Sequence, residues 1–299
     1  MSPPLKKFIN LEIAKYKRRG LLSLLSLFLL YSYFFHLPLL AFHYYEKLPR
    51  YSTYQVYVIG SFTVHLIIYI LVNSLFFFLY YLQLPIIESW KVAQDPWPWK
   101  TDPNFSLKLK KVLTCCLFNQ ILIIIPTSLI NGLRVSYNSD PKNFPSLWKN
   151  FAQILFFIIA EDFMFYWSHR LLHTPYLYKM VHKKHHEFSM SISVASEYAH
   201  PVEFLIGNIF PLGAGPFVLG QANVHIVTWF LWLSFRSIHT AEGHSGYEIP
   251  FSPFRFLPFG VSAKFHDDHH LKNIGNFGSM FVIWDSLCGT NQELKGKKD

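Results

Sequence analysis

Runs of about 20 mostly apolar residues recur along this 299-residue chain and limit its possible folds more than any other feature. A helix needs about 20 such residues to cross the ~30 Å hydrocarbon core of a bilayer. Backbone polar groups inside lipid must bond within the segment, so these runs favour α-helices. The chain is therefore predicted to be an all-α integral membrane protein with about four to six membrane-embedded helices. The runs cover residues 20–42, 56–84, 112–133, 150–167, 202–220 and 222–238.

The last two apolar runs lie close together and predict a hairpin. The fifth run contains Pro211, Gly213, Gly215 and Pro216. Two interpretations therefore stay open, namely two full spans or a broken, re-entrant pair. In the third run, Pro126 predicts a kink because proline cannot donate to the helical hydrogen-bond ladder.

The composition excludes several classes of protein. The chain is 51% hydrophobic, 18% aromatic and 15% charged, whereas a soluble domain has about 25% charged residues. It is too apolar for an intrinsically disordered chain. Its net charge of +9 suits the anionic cytoplasmic face of a bilayer better than a nucleic-acid groove. A lipid bilayer is the expected environment, and no nucleic-acid partner is expected.

The distribution of basic residues predicts the orientation in the membrane. Lysine and arginine are concentrated before the first apolar run and between the second and third runs. The positive-inside rule places both segments, and with them both termini, in the cytoplasm. These basic residues are Lys6, Lys7, Lys15, Lys17, Arg18, Arg19, Lys91, Lys100, Lys108, Lys110 and Lys111.

The organisation predicted from these features has four parts. They are a basic cytosolic N-terminus (1–19), membrane helices (20–144), a further domain (145–292) and a cytosolic tail (293–299). Lys295 and Lys297 occupy the positions of a dilysine retrieval signal of endoplasmic-reticulum membrane proteins, although a solvated lysine-rich tail gives the same pattern. The expected location is the endoplasmic-reticulum membrane.

Histidines are strongly clustered: twelve of the 15 lie between His169 and His270. The first group is a pair spaced by four, which chance alone would produce about 0.7 times in a shuffled chain. The other two groups follow the pattern His-x-x-His-His, which is expected only about 0.04 times. Residues i, i+3 and i+4 of a helix share a face, so each triple is predicted to direct three imidazoles at one point. The three groups are His169 and His173; His182, His185 and His186; and His266, His269 and His270.

Eight imidazoles are too many for one tetrahedral zinc ion and suit two metal ions with four or five ligands each. The topology would gather them in one cytosolic helical cap that abuts the membrane, so that a lipid could enter from the bilayer. His244 is predicted to join the ligands, His200 and His239 are possible additional ligands, and Asp162 is placed to orient one. His36, His43, His65 and His225 lie in or beside spans and are assigned no role. Outer carboxylates are available at Glu161, Asp162, Glu187, Glu197, Glu203, Glu242, Asp267 and Asp268.

A binuclear nitrogen-ligand site without a His-Glu-x-x-His motif favours dioxygen activation by two iron ions over zinc hydrolysis. A metal transporter would instead place its ligands deep inside the spans. A membrane zinc hydrolase would use fewer histidines and a nucleophilic water. Both alternatives fit the positions of the histidine triples less well.

Residues 145–292 resemble the fatty acid hydroxylase and sterol desaturase superfamily, and most closely its C-4 methylsterol monooxygenases. The likeness rests on the three histidine groups and on the segments EDFMFYWSHRLLH (161–173), YKMVHKKHHEF (178–188), EYAHPVE (197–203) and HSGYEIP (244–250). The chain departs from the family pattern at two positions. It has Phe265 where the family has an extra histidine before the third group, and Asp268 where the family usually has an aromatic residue. Around His239 the family commonly has an acidic residue.

The resemblance implies a diiron monooxygenase that oxidises a sterol methyl group with dioxygen. Its electrons would come from NAD(P)H through a cytochrome b5-type carrier and its reductase, because the chain holds no dinucleotide fingerprint. Other sterol or lipid oxidases of the superfamily stay open as alternatives: a side-chain oxidase or hydroxylase, a C-5 desaturase, or a fatty-acid hydroxylase.

Overall fold

The computed structural model describes residues 20–49, 51–188 and 192–292. Every regular element in these ranges is helical, and extended pairing is limited to isolated bridges. The expected all-α membrane fold is confirmed. The predicted basic N-terminus and the Lys295–Lys297 signal lie outside the described residues.

Five helices are long and apolar enough to cross a membrane. Only 6% of the most apolar window of the second helix is buried, so its side chains are available to face lipid rather than protein. The helices are α1 (Leu22–Glu46), α2 (Thr53–Leu82), α3 (Phe105–Gly132), α4 (Leu147–Leu172) and α5 (Pro201–Leu219).

The sixth apolar run forms a buried central helix, α6 (Ile226–Gly243), which is not one of the five. Ten of its 18 residues are buried. Its tryptophans bond to neighbouring helices: Trp229 Nε1 donates to Ser61 Oγ at 2.9 Å, and Trp232 Nε1 donates to the Leu212 carbonyl at 2.9 Å. The apolar surface of α6 is therefore covered by protein.

Helices α5 and α6 form the predicted helical hairpin. At their junction, the Asn138 backbone bonds to Val224 and Ile226 at 3.0 and 2.8 Å. Asn138 follows α3, and the adjacent Ser139 contacts Thr53 at the start of α2, at 2.7 Å between hydroxyl oxygens. The α1–α2, α3–α4 and α5–α6 connections therefore meet at one end of the molecule.

The opposite end carries a cap built from the C-terminal end of α4, short helices and α7 (Ala263–Lys272). Glu88 fastens the α2–α3 connection to this cap by accepting bonds from Trp97 Nε1 and from the Tyr247 hydroxyl, at 2.9 and 2.7 Å. The short helices at this end are Pro85–Glu88, Pro98–Thr101, Pro175–Met180, His182–Glu187, Ser193–Glu197, Pro253–Phe256 and Ile283–Leu287, whereas Pro141–Asn143 and Gln221–Asn223 lie in the connections at the other end.

Three of the spans contain a π-helical segment, at Ser32–His36, Gln120–Ile124 and Phe204–Ile209. The second segment lies immediately before Pro126, whose missing N–H is accommodated there by a change in the hydrogen-bond ladder. Such wide turns often mark functional positions.

Candidate metal centre

Nine histidines of the cap form two groups, and within each group the ligand atoms lie within 4.8 Å of one another. All of the eight expected ligands and His244 belong to one of the two groups. The first group is His169, His173, His182, His186 and His269, and the second is His185, His244, His266 and His270.

In the first group the Nε2 atoms converge. His173 Nε2 lies 2.9 Å from His182 Nε2 and 3.1 Å from His269 Nε2, and His182 Nε2 lies 3.0 Å from His186 Nε2. The ligands come from three elements: the end of α4, the short helix His182–Glu187, and α7.

The second group has the same construction with four members. His244 Nε2 lies 3.3 Å from His185 Nε2 and 3.0 Å from His266 Nε2, and His266 Nε2 lies 3.1 Å from His270 Nε2. His244 stands at the C-terminal cap of α6, so the central helix supplies a ligand as well.

In two of these histidines the Nδ1 atom is hydrogen-bonded outside the group, which leaves the Nε2 atom free to bind metal. His185 Nδ1 lies 3.3 Å from the Tyr198 carbonyl, and His244 Nδ1 lies 2.8 Å from the Thr240 carbonyl. A carbonyl only accepts, so each Nδ1 carries the proton and each Nε2 presents a lone pair. Two lone pairs facing each other across 3.3 Å repel unless a cation lies between them. The donor set therefore fits a metal ion.

The spacing of these nitrogens agrees with that interpretation. Imidazole nitrogens bound at about 2.1 Å to one transition metal are about 3.0 to 3.4 Å apart in octahedral or tetrahedral arrangements. In the first group, His169 Nδ1 and His269 Nδ1 are held by the carbonyls of Phe277 and Gly275, at 3.0 and 2.7 Å. These outer bonds fix the ring orientations before any ion arrives.

The expectation that each triple points to a single metal is wrong. His182 and His186 join the first group, but His185 joins the second. On α7, His266 and His270 join the second group and His269 the first. Around the α-helix α7, residue i+4 lies about 40° from residue i, whereas residue i+3 lies about 60° to the other side, which separates His269 from His266 and His270. Each triple straddles the two groups.

The second triple also differs in secondary structure, because His182–Glu187 is a 3₁₀ helix and not an α-helix. The first pair, His169 and His173, follows the α-helical expectation: both lie at the end of α4 and join the same group.

Burial keeps the cap histidines neutral. Loss of water lowers the pKa of His185 to about 4, and the same cause together with nearby imidazoles lowers the pKa of His244 to about 3. The pKa values of His266, His269 and His270 are also well below the ordinary value, first because of burial and then because of neighbouring histidines. Neutral imidazole is the form that binds metal.

The three additional candidates lie outside both groups. His200 caps α5, where its Nδ1 accepts the Val202 N–H at 3.2 Å. The His239 ring packs edge-on against Phe254, with ring centres 5.0 Å apart. The Asp162 carboxylate accepts the backbone N–H groups of residues 280 and 281, at 2.7 and 3.1 Å, so it braces the loop after α7.

The carboxylate that does reach a clustered histidine is Glu203. Its Oε1 lies 2.8 Å from His182 Nδ1, and both side chains are almost fully buried. Sequence reasoning included Glu203 only among eight possible outer carboxylates. The signal that singles it out is its position at the first turn of α5, beside the cap.

Two neighbouring cavities with shared wall residues lie beside the clustered histidines. A small cavity of about 60 Å³ is lined by five of the nine histidines and by His239. A large cavity of about 1070 Å³ lies among α2, α3, α4, α5 and α6. That volume is ample for a lipid-sized ligand. The residues that line both cavities are Ser196, Asn208, Arg236 and Thr240.

Arg236 is a buried charge at the junction of the two cavities. Its Nε donates to Glu161 Oε1 at 2.6 Å, and Ser279 Oγ donates to the same oxygen at 3.3 Å. The guanidinium also lies over the Phe165 ring, 5.4 Å from its centre. A buried pair of this kind fixes the geometry of α4 against α6, because removing either partner leaves an uncompensated charge.

Fold and site together define a multi-span helical membrane protein with nine clustered histidines near a large cavity among its helices. Residues 154–290 match the fatty acid hydroxylase family. The chain is 35% identical over 270 residues to methylsterol monooxygenase 2-1 of Arabidopsis thaliana, covering 84% of this chain and 94% of that protein. It is 34% identical over 258 residues to methylsterol monooxygenase 1 of Danio rerio, covering 83% and 82%.

A shorter match of higher identity links the chain to a very-long-chain aldehyde decarbonylase of Oryza sativa subsp. indica, 44% identical over 150 residues and covering 49% and 54% of the two chains. No solved structure matches. The chain belongs to the fatty acid hydroxylase family, and it is an oxidoreductase similar to methylsterol monooxygenases.

Proposed function

We propose that this protein is a membrane monooxygenase that oxidises a C-4 methyl group of a sterol with dioxygen. The observation that carries the proposal is a nine-histidine centre whose small cavity shares wall residues with a cavity of about 1070 Å³ among membrane helices. This arrangement brings an apolar substrate to a redox metal without exposing either to bulk water.

Two iron ions are the proposed cofactors, one in each histidine group. When bound, they would supply dioxygen activation, which side chains cannot provide. The five-ligand and four-ligand groups leave coordination positions unfilled by protein. The chain's own contribution is to gather nine neutral imidazoles, four of them held by outer carbonyls and one beside Glu203, and to line the approach with buried side chains.

The cavity has a wall that faces lipid. Phe163 and Met164 of α4, and Phe210 and Phe217 of α5, line the cavity and are also exposed on the protein surface. Their exposed fractions run from 40% to 78%. A sterol in the bilayer would enter between α4 and α5, with its apolar rings in contact with these side chains.

Similarity along the chain favours a sterol over an aldehyde substrate. The methylsterol monooxygenases match over more than four-fifths of this chain, whereas the aldehyde decarbonylase matches over 49%. The second candidate, a fatty aldehyde or another long-chain lipid, is supported by the higher identity of that shorter match.

Electrons are proposed to come from NAD(P)H through a separate cytochrome b5-type carrier and its reductase. Exposed lysines, Lys179 and Lys183, lie beside the second histidine triple and would attract an acidic carrier. The proposed location is the endoplasmic-reticulum membrane. Both termini and the metal centre would face the cytosol, following the distribution of basic residues.

The test uses membranes from cells that lack their own C-4 methylsterol oxidase. Wild-type protein is compared with His185→Ala and His269→Ala, and with His43→Ala as a control that alters an exposed histidine of α1. Loss of 4,4-dimethylsterols with the wild type and the control, but not with the two cap variants, is the expected result. Unchanged 4,4-dimethylsterols with the wild type would overturn the sterol assignment, and a changed aldehyde or acyl pool would favour the second candidate.

A further inference from the structure

A second polar cluster lies inside the large cavity, away from the metal ligands. His65 stands 12 residues into α2, about 18 Å along that helix from its start, and it lines the cavity together with Glu197. His65 Nε2 lies 3.1 Å from Glu197 Oε1, and the exposed fractions of the two side chains are 11% and 12%. Polar groups at this depth in a membrane protein are costly and usually functional.

Two side chains of α3 hold Glu197 in place. Gln120 Nε2, from the π-helical segment of α3, donates to Glu197 Oε2 at 2.6 Å. Asn119 Nδ2 donates to the backbone carbonyls of Glu197 and Ala199, at 3.3 and 3.1 Å. The side chain therefore has a fixed position, and its carboxylate is not free to swing toward bulk water.

The cluster retains unused acceptor capacity on its cavity side. A carboxylate offers about four lone-pair positions, of which the contacts with His65 and Gln120 occupy two. His65 Nδ1 lies 3.4 Å from Ser237 Oγ, but that hydroxyl donates its hydrogen to the Leu233 carbonyl at 2.9 Å. Ser196, Glu197, His65 and Ser237 all line the cavity, so a ligand hydroxyl placed there meets both acceptors and donors.

The cluster is also close to the metal centre along the chain. Glu197 directly precedes Tyr198, whose carbonyl holds His185 Nδ1 of the second group at 3.3 Å. The preceding residue, Ser196, lines both cavities. A hydroxyl bound at Glu197 and a carbon presented to the metal centre would therefore flank the same short segment.

We propose that Glu197 and His65 form a recognition site for the substrate hydroxyl group adjacent to the oxidised carbon. The inference rests on the proposed sterol function. In a sterol the carbon bearing the 3-hydroxyl is bonded directly to C-4, which carries the methyl group to be oxidised. A hydroxyl anchored at Glu197 fixes the ring edge that faces the histidines, and a saturated acyl chain offers no such anchor.

The experiment measures binding, so that it does not depend on turnover. Purified full-length protein in lipid nanodiscs is titrated with a 4,4-dimethylsterol bearing the free 3-hydroxyl and with its 3-O-methyl ether. Wild-type protein is expected to bind the free hydroxyl about 10- to 100-fold more tightly, the range for a hydrogen bond to a charged group. In Glu197→Gln and His65→Phe, the preference is expected to fall below about threefold.

The ratio of the two affinities corrects each variant for incomplete folding, because unfolded protein lowers the apparent binding of both ligands equally. A purely structural role of the substituted residue would therefore leave the ratio unchanged. Thr127→Val, which alters another cavity-lining residue two turns beyond Gln120 on α3, is the control and is expected to keep the wild-type preference. An undiminished preference in Glu197→Gln would overturn the inference while leaving the sterol function intact. Failure of the wild type to bind or consume either sterol would overturn both.

Discussion

Glu203→Gln gives a sharp test of how the first metal group is built. Glu203 Oε1 lies 2.8 Å from His182 Nδ1, with exposed fractions of 5% and 2% for the two side chains. The glutamine keeps the size of the side chain and replaces the carboxyl group that lies against this ligand with an amide. Replacing such an outer partner usually lowers metal affinity about 10- to 100-fold, equivalent to about 1.4 to 2.8 kcal/mol.

The loss should be confined to one of the two proposed metal ions, because the second group has no contact with Glu203 among the described residues. Purified protein is equilibrated with a graded iron chelator, and retained iron per chain is measured by mass spectrometry. At a chelator concentration where the wild type retains two ions, Glu203→Gln is expected to retain about one.

Glu187→Gln is the matched control. Glu187 is also next to the second triple, but its carboxylate accepts bonds from Lys111 Nζ and the Tyr198 hydroxyl, both at 2.7 Å. It should retain both ions. Equal iron retention by Glu203→Gln and the wild type, or parallel loss of both ions, would refute the account of separate groups held by separate outer partners.

Three further predictions follow from particular contacts. A Cβ at Gly215 would lie 2.5 Å from the side chain of the buried Phe157 of α4, whereas nothing lies within 4 Å of a Cβ at Gly213. In thermal unfolding, Gly215→Ala should therefore cost about 1 to 3 kcal/mol of stability, and Gly213→Ala almost none. His269→Ala and His270→Ala alter neighbouring residues of different groups, so each should remove one metal ion selectively, and identical metal-binding spectra would contradict that partition. The pKa of His185 is about 4 in the folded protein and about 6.5 in the unfolded chain. The unfolded chain therefore binds more protons between these pH values, and the metal-free protein should lose stability as pH falls through that range. A melting temperature independent of pH between 6.5 and 4.5 would contradict this.

Much of the site could be predicted from the sequence because its ligands are grouped locally. The eight histidines of the three sequence groups and His244 all fall in one of the two clusters that could hold a metal. The partition between the groups could not be predicted. It depends on how the split triples face each other in space, and that arrangement is set by the packing of α7 against the end of α4 rather than by spacing within a segment.

Nonlocal partners account for the remaining differences. Asp162 shares a helical face with His169, yet it bonds to a backbone loop 118 residues away, while the distant Glu203 reaches His182. No role is predicted for His65 because it lies within a span, and only the folded chain brings it to Glu197.

The sixth apolar run shows the limit of hydropathy. Side-chain polarity does not distinguish a helix covered by lipid from one covered by protein, and α6 is the latter. Its Arg236 is stabilised inside the protein by Glu161, which sequence alone could not pair with it. The fold class was predictable from composition and segment length, whereas the role of this helix depended on tertiary packing.

The most direct test of oxygenase chemistry is the source of the oxygen atom in the product. Wild-type protein with its reductant system is incubated with a 4,4-dimethylsterol under ¹⁸O₂, and the first product, the 4-hydroxymethyl sterol, is analysed by mass spectrometry. The account predicts one ¹⁸O atom in the new hydroxyl group, and none in His185→Ala, which forms no product. A hydroxyl oxygen that comes from labelled water, or a wild-type protein that consumes no dioxygen in the presence of the sterol, would contradict it.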